Sequence, residues 1–340
     1  MNRLSVSSLR PGIVLGRDLY SYNGQLLLPK GTQLTQAHLD YLRDKKIDSV
    51  YIYDSSKPHT TQGFTSVYDS SVHTVKAFML EAKLGRALME DEVIPTVDTL
   101  VEQVFDEGDL FRQMRLMKEK DDYLFVHSIN VALLSILVGR WLKLDRTQVQ
   151  ELGTAGFLHD IGKVKIPNHI LNKPGTLTEE EFLVIQQHPQ LGYDMVKNWN
   201  WVNKDIAEAI YCHHERLDGS GYPLGISGEN IGLYARIVAV ADVYDAITSS
   251  RSYANKRSPY NAAEILWEES FGKLDPRAAK TFYDRVANFY VGNKVRLSNG
   301  EVGMVIYIPP TAPTRPMVQV GEKFYNLNEN RSISIIEIID

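Results

Sequence analysis

The sequence predicts a mainly α protein, a helical bundle flanked by a small N-terminal α+β module and a small C-terminal β module. Three observations carry this expectation. Apolar residues recur at helical spacing from about residue 67 to 285, and strand-like runs broken by glycine lie on either side. A chain of 340 residues also exceeds one ordinary compact core, so two or three domains are expected. The boundaries read as 1–66, 67–285 and 286–340.

In the first module "GIVLGRDLY" and "GQLLLPKG" read as strands, and "TQAHLDYLRDKK" as an amphipathic helix capped by its threonine. "DSVYIYD" is a further β segment, and "SSKPHTTQGFTS" at 55–66 has the composition of a linker. In the central region Thr178 and Glu181 form a capping box ahead of "EFLVIQQ". Residues 205–211 and the run "LYARIVAVADVYDAI" continue the helical period. Beyond about 288 the period shortens. "GNKVRLSNGEVGMVIYI", "MVQV" and "SISIIEII" read as short strands, with an Asn-Gly turn signal at 299–300.

Composition excludes several classes. Hydrophobic residues at 44% and charged residues at 23% describe a globular chain, not a disordered one. A net charge of −5 argues against a nucleic-acid polymer as partner. One cysteine, Cys212, excludes an intramolecular disulfide and fits a reducing compartment; it reads as a packed side chain, not a ligand. The N-terminus lacks the apolar core of a signal peptide. The most apolar stretch, 123–139, contains His127 and Asn130 and falls short of the ~20 residues that span a bilayer. A cytoplasmic protein without membrane insertion is expected.

Histidine is scarce, nine in the chain, so its placement is informative. His38, His59 and His73 have no partner pattern and read as surface residues. His127 lies in an apolar helix, and His159 and Asp160 end the next, which Gly162 closes. His188 precedes Pro189 at a helix boundary, His213 and His214 end another helix, and Asp242 falls inside an apolar one. A lone buried histidine is more often a hydrogen-bonded core residue than a ligand. Seven such residues on five segments of a helical bundle point instead to a metal centre built from facing helices.

Imidazole mixed with carboxylate suits first-row divalent ions: iron or manganese first, with nickel, cobalt or zinc as alternatives. Five histidines and two aspartates exceed the needs of one ion and serve two, with a bridging aspartate. Two such ions keep a net positive charge beside two aspartates. They can activate water, stabilise a phosphodiester in its transition state and neutralise the leaving oxygen. Hydrolysis of a phosphate ester follows.

At these residues the chain resembles the HD-GYP family, the cyclic di-GMP phosphodiesterases within the HD superfamily. "HDIGKVKIP", "KPGTLTEEE", "HPQLGYDMV", "HHERLDGSGYP" and "ARIVAVADVYDAITS" follow in the family's order over roughly residues 120–260. The resemblance implies an HD-type bundle as the catalytic domain. It implies one ion on His127, His159, Asp160 and Asp242 and another on Asp160, His188, His213 and His214. Asp160 and Lys163 are then the catalytic pair, with Lys163 placing a point charge on the phosphate. Asp218, Gly219, Gly221, Tyr222 and Pro223 form the loop that names the family; Asp218, Gly221 and Tyr222 are implied substrate contacts, and the loop or the terminal modules a docking place for a protein partner.

Arg251 matches a family arginine that meets the nucleotide, whereas Ser252 and Ala254 depart from the family pattern, with Lys256 as the substitute cation. Asp245, one turn after Asp242, reads as a support for the ligands, a substrate contact or a plain surface carboxylate. Some members hold a third ion through a glutamate one turn before the first histidine. Tyr123 occupies that place here, so two ions are expected.

The implied substrate is cyclic di-GMP, cleaved to pGpG and GMP, with cyclic GMP-AMP as the neighbouring alternative. A non-catalytic sensor of cyclic dinucleotides would be marked by lost ligands, and none is lost. Another HD-superfamily phosphohydrolase is disfavoured by the intact loop. A homodimer is compatible with all of these readings.

Overall fold

The computed structural model describes residues 2–15, 19–20, 26–28, 32, 34–44, 47, 49–52, 61–105, 111, 114, 123–249 and 258–339. The chain divides into two compact units, Met1–Gly63 and Phe64–Asp340.

In the first unit β1 (Asn2–Ser5) pairs antiparallel with β4 (Ser49–Ile52), and β2 (Leu19–Tyr20) with β3 (Leu26–Leu28). Two-stranded ribbons are marginal in water unless something covers a face. Here α1 (Gln36–Asp44) contributes Leu39 and Leu42 to a core shared with Leu15, Leu34, Val50 and Ile52. Thr35 caps α1 as expected, its hydroxyl accepting the His38 N–H at 3.3 Å. His38 is half-buried, with its Nδ1 accepting the Thr35 N–H; it belongs to the cap and is not a free surface residue. His73 is exposed, and His59 lies outside the described residues.

Helix α2 spans Thr61–Lys83, so residues 61–66, read as linker, are helical. Polar composition suggested a linker, but a nucleated helix extends at the gain of one hydrogen bond per residue, and the buried stripe Tyr68, Val72, Val75 and Phe78 nucleates this one. Then follow α3 (Glu90–Phe105), α4 (Tyr123–Trp141) and α5 (Arg146–Leu158). Helix α4 is buried on all sides from Val126 to Gly139 and forms the axis of the bundle. After α5 come α6 (Asn168–Leu171), α7 (Glu179–Ile185), α8 (His188–Val196), α9 (Lys204–Cys212), α10 (Leu233–Thr248), α11 (Pro259–Glu269) and α12 (Pro276–Val286), of which α10 and α12 pack against α4. Thr178 and Glu181 form the expected capping box on α7. Among the described residues no helix is long and apolar enough to cross a membrane.

The C-terminal strands are β5 (Lys294–Leu297), β6 (Val302–Tyr307), β7 (Met317–Val320), β8 (Lys323–Asn326) and β9 (Ile335–Ile339). They form one antiparallel sheet in the order β8-β7-β6-β5-β9, and Gly300, at φ 87°, turns the β5–β6 hairpin. The sheet has no core of its own. Val295, Leu297, Val305 and Val318 join the same apolar cluster as Tyr260 and Phe282 of the helices. The Ser258 hydroxyl donates to the Ile335 carbonyl at 3.0 Å.

Candidate metal centre

The bundle brings all seven expected ligands to one place. His127 projects from α4; His159 and Asp160 follow the end of α5, where the chain turns into a 3-10 helix at Ile161–Lys165. His188 opens α8, His213 and His214 follow α9, and Asp242 lies in α10.

Helix ends aim most of these imidazoles. The last carbonyls of a helix have no partner within it. His159 Nδ1 lies 2.7 Å from the Gly156 carbonyl, His188 Nδ1 2.7 Å from that of Ile185, and His213 Nδ1 2.9 Å from that of Ile210. A carbonyl only accepts, so each Nδ1 carries the proton and each Nε2 keeps its lone pair. His127 uses the Asp245 carboxylate instead, at 2.8 Å from Nδ1.

Asp160 lies between two groups. Its Oδ1 is 3.2 Å from His188 Nε2; its Oδ2 is 3.3 Å from His159 Nε2 and 3.6 Å from His127 Nε2. His127 Nε2 is also 3.1 Å from Asp242 Oδ1. Ligand atoms of His127, His159 and Asp242 lie within 4.8 Å of one another, as do those of His188, His213 and His214. His159, Asp160 and His213 form a third such set, which links the two.

The donors fit divalent ions. His159 Nε2 and Asp160 Oδ1 are buried without a hydrogen-bond partner, a costly arrangement unless a cation meets them. Burial foremost, then neighbouring imidazoles, holds His213 well below the ordinary histidine range. Burial likewise lowers His214, against the pull of Asp242. Burial would raise both carboxyls, but His159 and Lys163 around Asp160, and His127 beside Asp242, hold them well below the usual range. Burial also opposes a charge on His127, but Asp242 and Asp245 outweigh it and bring its pKa to about 9. Lys163 Nζ meets Asp160 Oδ2 at 2.5 Å, from a side chain 17% exposed at the mouth of the cluster.

Several expectations change. Helix α5 ends at Leu158, and Gly162 does not close it in a left-handed turn. A Cβ at Gly162 would collide with the His188 carbonyl and the Gly192 nitrogen, so this glycine lets the histidine–aspartate turn press against α8. Asp245 is fully buried and is no substrate contact. Its oxygens take His127 Nδ1, Asn130 Nδ2 at 2.9 Å and the Ser249 hydroxyl at 3.1 Å, so it orients the His127 ring. Asn130 in turn accepts the Tyr68 hydroxyl at 2.6 Å. A buried asparagine within an apolar run was the available sign of this network.

The loop after His214 folds back on the ligand segment. Gly221 has room for no Cβ, since one would strike backbone of His214, Glu215 and Arg216. Tyr222 stacks on His214, ring centroids 4.6 Å apart and planes 27° apart. Asp218 is exposed and accepts the Ser220 N–H at 2.9 Å, which closes the loop's turn. Sequence reasoning gave Glu215 no part. It is buried, and its Oε1 accepts the Leu224 N–H at 2.6 Å and the Gly225 N–H at 3.2 Å, anchoring the loop. Its place after the two histidines was the signal. Cys212 is buried, as expected of a packed side chain. Arg251, Ser252, Ala254, Lys256, Asp122 and the Tyr123 side chain lie outside the described residues.

A histidine–aspartate doublet joining two sets of imidazoles on a helical bundle is the arrangement expected of an HD-type metal centre. Residues 113–278 match the family model of the HD domain. The complete "HHERLDGSGYP" loop adds to this match the resemblance to the HD-GYP family. It is 38% identical over 248 residues to a cyclic di-GMP phosphodiesterase of Pseudomonas aeruginosa, covering 72% of this chain and 59% of that protein. It is 36% identical over 177 residues to a 3'3'-cGAMP-specific phosphodiesterase of Vibrio cholerae, covering 50% of this chain and 40% of that one. The chain thus spans less than two thirds of either relative. Among solved structures, an HDG"Y"P protein from Bdellovibrio bacteriovorus aligns at TM-score 0.55, covering 84% of this chain and 99% of that one; at 19% identity the likeness concerns the fold.

Proposed function

We propose that this chain hydrolyses a phosphodiester bond of a cyclic dinucleotide, cyclic di-GMP foremost, to pGpG, GMP or both. The observation that carries the reading is Asp160, a buried carboxylate whose two oxygens face different imidazole groups. Relatives named as phosphodiesterases of cyclic di-GMP and of cGAMP support the substrate class.

In this reading His127, His159, Asp160 and Asp242 hold one divalent ion, and Asp160, His188, His213 and His214 a second. Iron or manganese suits the mixed set, with nickel, cobalt and zinc as the other candidates. Such a pair, when bound, supplies an activated water and positive charge at the phosphate and the leaving oxygen. The protein's own residues do the positioning. Asp160 sets the spacing of the two imidazole groups, and Asp245 holds the ring of His127. Lys163, next to Asp160, offers a cation to a non-bridging phosphate oxygen. Tyr222 walls the cluster beside His214, and Gly221 and Asp218 shape the loop that carries it. Arg251 and Lys256 are the contacts proposed for the nucleotide, and a reducing cytoplasm the proposed compartment.

The test is liquid chromatography of products after metal-loaded protein meets cyclic di-GMP and cyclic GMP-AMP separately. Cyclic di-GMP should yield pGpG or GMP. Faster cleavage of cyclic GMP-AMP would transfer the preference to that substrate, as the Vibrio relative's name suggests. Binding without cleavage of either would make the chain a sensor. Elemental analysis should approach two ions per chain, because Tyr123 offers a neutral phenol where a third ion needs a carboxylate; a reproducible three would sink that count.

A further inference from the structure

We propose that Phe182 is a stacking platform for one nucleobase of the substrate; this rests on the cyclic-dinucleotide reading above. Phe182 lies in α7 and is 47% exposed. That helix is short and buries none of its residues. Its capping box ties Thr178 to Glu181, and Glu181 also takes the Lys173 ammonium at 2.6 Å. These bonds set its first turn, from which the Phe182 ring is displayed.

The position of that surface gives it a meaning. The rings of His214 and Tyr222 stack, and Tyr222 meets Phe182 edge to face, with centroids 6.5 Å apart and planes at 77°. An unbroken line of aromatic rings therefore runs from a proposed metal ligand to the surface. In a nucleotide one sugar separates phosphate from base. A phosphodiester beside His214 and Lys163 would place a base along that line, beyond Tyr222. Tyr222 already gives one face to His214, so Phe182 is the ring with surface to offer. Stacking on a phenyl ring accepts any base, so Phe182 would supply affinity for purines without choosing between guanine and adenine.

The experiment uses metal-loaded full-length protein and compares wild type with Phe182→Ala, Phe182→Trp and, as a control, Leu183→Ala, its 60% exposed neighbour. For cyclic di-GMP, Phe182→Ala should raise KM roughly ten-fold and leave kcat within about two-fold, with Phe182→Trp near wild type. Calorimetry should show Phe182→Ala losing affinity for GMP to a similar degree but none for ribose 5-phosphate, which lacks a base. Leu183→Ala should match wild type in both assays. Unchanged KM and GMP affinity in Phe182→Ala would overturn the proposal, as would equal losses for GMP and ribose 5-phosphate. A wild type that cleaves neither cyclic dinucleotide would sink the hydrolase reading instead, and the GMP comparison would still decide the stacking.

Discussion

His127 and Asp245, 118 residues apart in sequence, meet with Nδ1 of the ring 2.8 Å from a carboxylate oxygen, both buried. That bond turns the other ring nitrogen toward Asp242, 3.1 Å away, so α10 supplies both a proposed ligand, Asp242, and the residue that orients another, His127.

Asp245→Ala should therefore weaken metal binding without touching a ligand. It leaves His127 Nδ1 and Asn130 Nδ2 without their carboxylate. Metal affinity should fall about 10- to 100-fold, with Asp245→Asn closer to wild type. Metal-competition titration checks this; an unchanged affinity for the alanine variant would refute the orienting role.

Asp160→Ala should abolish turnover, since it removes a buried carboxylate whose two oxygens face different imidazole groups. Metal content should drop with activity, and His159→Ala should behave alike. Retention of both metal and activity in purified Asp160→Ala would exclude a shared carboxylate.

Glu215→Ala should act on the loop and not on the metals. The Leu224 and Gly225 N–H groups lose their acceptor, at a cost of about 1–3 kcal/mol. Denaturant melts should show the loss while elemental analysis finds wild-type metal content; a metal-free but folded variant would contradict this division.

Cys212 should resist thiol reagents in the native protein. Burial foremost, with Glu208 and Glu215 nearby, pushes its pKa up to about 12. A raised pKa keeps the neutral thiol at pH 8, where roughly one molecule in ten thousand carries the reactive thiolate. Ellman's reagent should find no thiol at pH 8 and one after denaturation. Rapid native reaction would show an opening of α9.

Truncation should separate the two ends of the chain. A fragment beginning at Thr61 keeps every proposed ligand and the whole shared core, and should bind metal. Cutting after residue 285 is different: Tyr260 loses Tyr290, Ser258 loses the Ile335 carbonyl and Tyr283 loses Thr314. That fragment should aggregate or melt far below the full chain in a thermal scan. Equal stability would mean that the sheet is an independent module after all.

Much of the site was legible because its signals are local. Capping of α7 spans three residues, the helical periods span one or two turns, and the histidine–aspartate and double-histidine pairs are adjacent in sequence. The seven residues that cluster in the fold could be named from rare polar residues placed at helix ends and in apolar runs. Their convergence followed from how bundles pack.

What tertiary structure alone decided concerns pairs distant in sequence. Asp245 carries the same local pattern whether it faces solvent or His127, and its burial depends on α4 lying beside α10. Gly162 reads as a helix stop until α8 is seen pressed against it. The C-terminal strands read as a module until their apolar faces are seen in the core of the helices. By itself the sequence determined which residues offer metal-binding atoms and which segments coil, because charge, lone pairs and hydrogen-bond periodicity belong to the residues themselves. Burial and orientation belong to contacts between segments, and only the packed chain supplies those.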